Sequence, residues 1–177
     1  AVIVPTALVM GQALGSTGKE IITAVAIGYE VTYRIASHVN PKQINKGFHP
    51  SSNCGAYGAA AVAGKLLGLN EEQLSNALGQ AGMLASGTME ATKSGQRSKC
   101  VQVGNAAYNG IMAAYLAQSG MEGCLSALEG KNGLFVNFPS YKGRSGYVDI
   151  CFPTTAELRQ QMTNGAVAAY RQALEHH

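Results

Sequence analysis

The run Gly47-Phe48-His49-Pro50-Ser51-Ser52-Asn53-Cys54-Gly55-Ala56-Tyr57-Gly58-Ala59-Ala60-Ala61-Val62-Ala63-Gly64-Lys65-Leu66 decides the fold. Gly47 and Pro50 punctuate its start, so 40–52 reads as a loop. The remainder predicts a helix over about 52–67, with Gly55, Ala59, Val62 and Leu66 recurring at three- and four-residue steps along one face. Glycine and alanine on that face let a neighbouring backbone come close, so the helix calls for other helices around it.

The flanking sequence supplies them. Pro5 suits the first turn of a short helix ending near Gly15. Thr17 and Glu20 have capping-box spacing. A long helix follows, with Ile21, Val25, Gly28, Tyr29, Thr32 and Ala36 as its inward stripe; Pro41 ends it near Asn40. Downstream, Asn70 and Gln73 repeat the capping box, and Leu74, Ala77, Leu78 and Ala81 give the next stripe. Residues 86–97 are polar and glycine-containing, hence a second loop. A helix over 99–118 carries Val103, Ala106, Gly110, Ala113 and Ala117 inward, and one helical turn is expected around Leu125 to Leu128. Leu134 to Phe138 and Tyr147 to Phe152 are β-prone, giving a small hairpin near 134–152 around a turn containing Lys142, Gly143 and Arg144. Thr154 and Glu157 cap a last helix to about Ala173, and Leu174 to His177 reads as the start of a purification tag. The fold class is all-α, a helical bundle.

Composition narrows the function. Charged residues make up 13% of the chain, against about 25% in an ordinary soluble domain. Part of the surface is therefore expected to be covered by another subunit or domain, as in a homodimer or higher oligomer, against the alternative of a compact alanine-rich bundle with small residues outside. The net charge is +3, with the thirteen Lys and Arg scattered rather than striped, which argues against nucleic acid. The best apolar stretch, Ile21 to Ala36, is broken by Glu30 and Arg34, so no membrane span is expected. Ala1 to Met10 lacks the basic start of a signal peptide. Cys54, Cys100, Cys124 and Cys151 have no metal-ligand spacing and read as buried small residues in a reducing cytoplasm. No metal site is expected.

Phosphate-loop, nucleophile-elbow and zinc-helix patterns are absent. Two helix entrances remain. His49 is held between Phe48 and Pro50 just before a helix, in a positive field that disfavours imidazolium and suits an anion. Arg97 and Lys99 enter another helix, where they and its free backbone N–H groups would receive a carboxylate. Each residue read alone is more often structural or solvated than functional. His38, near a helix end, reads as a C-terminal charge partner.

These residues sit in a series of motifs in consistent order: Gly28-Tyr29-Glu30-Val31, Gly47-Phe48-His49-Pro50, Ala59-Ala60-Ala61 leading to Lys65-Leu66-Leu67-Gly68-Leu69, Ala85-Ser86-Gly87, Ser98-Lys99 with Gly104-Asn105-Ala106-Ala107, Ala113-Ala114-Tyr115-Leu116-Ala117, and Leu128-Glu129-Gly130. The series resembles the MmgE/PrpD family over residues 1–138. The resemblance implies a large helical domain, a smaller α/β domain and a homodimer. It implies cofactor-free dehydration, decarboxylation or epimerisation of small di- and tricarboxylates such as 2-methylcitrate, cis-aconitate and iminodisuccinate. It makes His49 and Lys99 the expected catalytic pair, with Ser51, Arg97 and Gln102 expected to touch substrate. The family's upstream acidic segment and its α/β domain have no counterpart in these 177 residues, and Gln102 stands where many relatives have His. Activity is therefore expected to be incomplete, against the alternatives of an active lyase or epimerase and of a helical interaction module. Residues 139–173 match no part of the family and read as a tail of other origin.

Overall fold

The computed structural model describes residues 1–39, 42–127, 140–143 and 146–149. The chain divides into two compact units, Ala1–Leu125 and Ser126–His177.

The first unit is all helix and loop. Helix α1 (Ile3–Leu14) starts two residues ahead of Pro5 and ends at Gly15, whose left-handed φ of 66° a side chain would strain. Helix α2 (Gly18–Val39) is opened by the expected capping box. The Thr17 N–H donates to Glu20 Oε2 (2.7 Å) and the Glu20 N–H to Thr17 Oγ1 (3.3 Å). The Thr17 N–H and the Thr17 hydroxyl, both donating to Oε2, hold the Glu20 carboxyl below its usual range. Helix α3 (Lys42–Asn45) follows, then α4 (Pro50–Leu66) and α5 (Glu71–Leu84), the last with both reciprocal Asn70–Gln73 bonds formed. Helices α6 (Glu90–Lys93) and α7 (Ser98–Gln118) complete the helices of the unit, and a 3₁₀ turn at Leu125–Ala127 begins at its last residue. Both expected loops thus contain a four-residue helix. Neither segment has enough apolar residues to show a period, so neither was visible in the sequence.

Helix α4 is the centre, packing against α1, α2, α5 and α7. It is buried on all sides from Cys54 to Gly64, not on one face as expected. The reason is that its alanines and glycines occupy every side, and a helix apolar all round belongs inside. Gly110 of α7 shows how close the backbones come. A Cβ there would lie 2.6 Å from both Ala56 O and Ala60 N. Gly28 and Gly58 make the equivalent contact between α2 and α4, where a Cβ on Gly58 would meet Gly28 O at 2.8 Å. The core on the α1–α2 side holds Ile3, Ala7, Ala24, Ala59 and Val62; on the α5–α7 side it holds Tyr57, Ala60, Ala81 and Ala113.

Most expected inward residues are buried or half-buried, but Tyr29 is half-exposed. Cys54 is buried, and burial pushes its thiol pKa up to about 11. Cys100 and Cys124 are exposed, contrary to expectation; they follow helix-start and loop positions outside the packed stripes. His38 sits in the last turn of α2 with Nδ1 2.6 Å from Arg34 O.

In the second unit, strands β1 (Ser140–Gly143) and β2 (Gly146–Asp149) pair antiparallel, with Tyr141 opposite Val148. The hairpin lies inside the expected region, but Lys142 and Gly143 are in its first strand rather than its turn. Alternation of Tyr141 and Gly143 with polar neighbours is too weak a signal to set that register. The expected strand at 134–138 and the last helix over 154–173 lie outside the described residues.

Candidate functional site

His49 caps the start of α4 in an extended conformation, and Pro50 occupies the first helical turn. The segment 47–49 is zipped against 87–89. The His49 N–H donates to Gly87 O (3.1 Å), the Met89 N–H donates to Gly47 O (2.7 Å), and Phe48 pairs with Thr88 in an antiparallel bridge. Asn53 Nδ2 donates to His49 O (3.1 Å) and lies 3.3 Å from Gly87 O.

A second tie brings in α7. The fully buried Ser52 hydroxyl is shared between Ser86 O (2.5 Å) and Gln102 O (3.0 Å). Gly87, at φ 127°, makes room for it: a Cβ there would sit 2.7 Å from both Ser52 Oγ and Gln102 Oε1. Three elements distant in sequence are therefore pinned at one point, which carries His49 toward the first turns of α7.

His49 is 5% exposed. Burial is the main cause holding its pKa below the usual value, the Lys99 ammonium adds to this, and the nearby Gln102 amide opposes it by favouring the protonated ring. The Gln102 contact is an approach rather than a formed hydrogen bond, since both His49 Nδ1 and Gln102 Oε1 are buried without a partner. The sequence assigned the neutral imidazole to the helix field; desolvation is the larger cause.

Of the residues expected at the site, Lys99 and Gln102 both act on the protonation of His49, Lys99 through its charge and Gln102 through its amide. Lys99 is exposed and Gln102 half-buried. Ser51 and Arg97 are exposed, and their side chains make no hydrogen bond or ion pair with the described residues. The free N–H groups expected at the start of α7 are largely engaged, and so are donors at the start of α4. Ser52 and Asn53 donate to His49 O, Cys100 to Arg97 O (3.0 Å), and Lys99 to Gln96 O (3.4 Å). Tight i→i−3 bonding consumes these first-turn donors, so reception of an anion falls to side chains. Ser52 and Gly87 were missed as site builders. A signal for Ser52 existed, because it lies three residues before Gly55 and seven before Ala59, on the inward stripe of α4.

Among the described residues no group of three or more His, Cys, Asp or Glu could hold a metal ion, and no helix is long and apolar enough to cross a membrane. An open groove of about 650 Å³ elsewhere is lined in part by Glu71, Glu72 and Glu122. Its charge is wrong for a carboxylate.

A small-residue helical domain, with a buried histidine at the start of its central helix whose protonation the Lys99 charge opposes, defines the class as an all-α protein. A model of the MmgE/PrpD N-terminal domain matches residues 1–144. The chain belongs to the MmgE/PrpD family. It is 33% identical over 150 residues to cis-aconitate decarboxylase of Aspergillus terreus, covering 81% of this chain and 30% of that protein. It is 32% identical over 126 residues to cis-aconitate decarboxylase of Homo sapiens, covering 71% of this chain and 26% of that one. The chain thus spans less than a third of the length of these relatives. A second model, SpoVG, matches residues 124–172. A SpoVG protein of Symbiobacterium thermophilum is 45% identical over 47 residues, 26% of this chain and 34% of that protein. The segment that the sequence reading left outside the first family therefore has relatives of its own, and residues 124–144 are covered by both models.

Proposed function

We propose that this chain is a carboxylate-binding helical module related to lyases and isomerases of small di- and tricarboxylates, and that it binds such a substrate without turning it over alone. The observation that carries the reading is the pinning of the buried His49 segment to 87–89 and, through Ser52, to Gln102 in the first turns of α7, the helix that Lys99 enters. A neutral, desolvated imidazole is able to take a proton, and a lysine beside it favours an incoming carboxylate or charge developing on one. The names of the relatives point to cis-aconitate as the first ligand to try. Among the described residues, the charge acting on His49 is that of Lys99, and no carboxylate acts on it. A lyase or isomerase needs acid and base in complementary states, and a positioned group of that kind is worth about 10²–10⁴-fold. Binding without turnover follows.

The test is calorimetric titration of the full chain with cis-aconitate near pH 6.5, in buffers of different ionisation enthalpy. A bound carboxylate beside His49 raises its proton affinity, so binding takes up protons, and the uptake disappears in His49→Gln. Lack of binding at millimolar cis-aconitate, or binding indifferent to both His49→Gln and Lys99→Met, overturns the reading. Release of carbon dioxide from cis-aconitate, lost in Lys99→Ala, would instead favour the alternative of an active lyase.

The same reading includes self-association. Ile22, Tyr29 and Tyr33 are half or more exposed and recur at seven and four residues along α2, with exposed Leu8 and Val9 on α1. A second copy covering this outward stripe accounts for the low charge content.

A further inference from the structure

Among the described residues, His49 Nδ1 and Gln102 Oε1 are buried side-chain atoms without a hydrogen-bond partner. Native proteins leave few such atoms, and each that remains calls for an explanation. These two are complementary. An amide oxygen can only accept, whereas a neutral ring nitrogen donates in one tautomer and accepts in the other.

The packing brings both to one place. The His49 N–H donates to Gly87 O (3.1 Å), and a Cβ on Gly87 would lie 2.7 Å from Gln102 Oε1. From α4, the Ser52 N–H donates to His49 O (3.1 Å) and the Ser52 hydroxyl to Gln102 O (3.0 Å). The Gln102 amide is near enough to favour the protonated ring, as an acceptor does and an NH₂ donor does not. Nε2 is placed differently. Among the described residues it makes no hydrogen bond, yet it is not one of the buried unpartnered atoms, so it is the ring nitrogen that reaches the surface.

With the proton on Nδ1, a small rotation of ring or amide satisfies both atoms in one bond. With the lone pair on Nδ1, two acceptors face each other away from water and neither is satisfied. We propose that Gln102 is a positioning residue: its Oε1 accepts the Nδ1–H of neutral His49, fixing the tautomer whose lone pair lies on Nε2, the nitrogen open to a ligand. In this role Gln102 acts through His49 rather than on a substrate. Use of the Nε2 lone pair to take a proton rests on the reading that His49 faces a carboxylate; the tautomer itself does not.

The experiment is a long-range ¹H–¹⁵N NMR correlation of the ¹⁵N-labelled full chain, above the His49 pKa. The His49 signals are those lost in His49→Gln. A free neutral imidazole in water favours the Nε2–H form, so the opposite pattern is diagnostic. The unsubstituted chain is expected to show a protonated, pyrrole-type Nδ1 and an unprotonated, pyridine-type Nε2. Gln102→Leu should lose that pattern and lower the His49 pKa. Gln102→Glu, which still accepts, should keep it and raise the pKa by about one unit or more. The Lys99 charge opposes protonation in all three chains, so differences among them report on position 102. A role in packing alone predicts one tautomer and one pKa throughout, and that result overturns the proposal, as does an Nε2–H ring in the unsubstituted chain. If Gln102→Leu does not fold, an unraised pKa in Gln102→Glu contradicts the proposal by itself. An Nε2–H ring in a chain that binds cis-aconitate removes this inference alone; an Nδ1–H ring in a chain that does not bind it removes the carboxylate reading alone.

Discussion

His49 carries the clearest residue-scale consequence. Its pKa lies below the value of the free side chain, first through burial and then through Lys99. The unfolded chain therefore takes up this proton at a higher pH than the folded one. Stability contributed by His49 is present above the unfolded value of about 6.5 and is lost as pH falls through the window between that value and the lower folded one. Urea midpoints at pH 5 and pH 7.5 should thus differ more for the unsubstituted chain than for His49→Gln. Equal differences would mean that the ring is not desolvated. The sequence placed His49 and Lys99 as site candidates from their motifs and helix entrances. It could not show the buried Ser52 hydroxyl joining Ser86 and Gln102, because that bond spans fifty residues and has no local signature.

Local chemistry marked the elements that begin with a cap. The Thr17–Glu20 and Asn70–Gln73 boxes are formed as read, since capping depends on a few neighbouring residues. The short helices α3 and α6 were read as loop, because four residues show no period and tertiary contacts decide them. The all-round burial of α4 was also hidden: an alanine-rich helix has almost the same small side chain on every face. Its consequence is testable through α7. At Gly110 an added methyl meets the backbone of Ala56 and Ala60, which cannot swing aside like a side-chain end. Gly110→Ala should destabilise the fold by about 1–3 kcal/mol, read as a lower urea midpoint with an unchanged slope. A neutral substitution would show that α4 and α7 are further apart than described here.

For the whole molecule, the helical class was legible because four stripes of apolar residues agree with one another. The second unit was not: its hairpin register differs from the reading, and residues 124–172 resemble a different family. Self-association belongs at this scale. Sedimentation of the full chain should give a dimer or larger species, and Ile22→Glu with Tyr33→Glu should shift it to monomer without unfolding it. A monodisperse monomer in the unsubstituted chain would remove the outward stripe of α2 as an interface.

The action of the Lys99 charge on the buried His49 ring underlies the proposed ligand. The most direct measurement is the pKa of the His49 ring, followed by NMR in the unsubstituted chain and in Lys99→Met. The account predicts a value below 6.5 that rises when the ammonium is removed, because the Lys99 charge disfavours imidazolium. A His49 pKa that is the same in both chains would contradict it, since the two side chains would then not share one cleft.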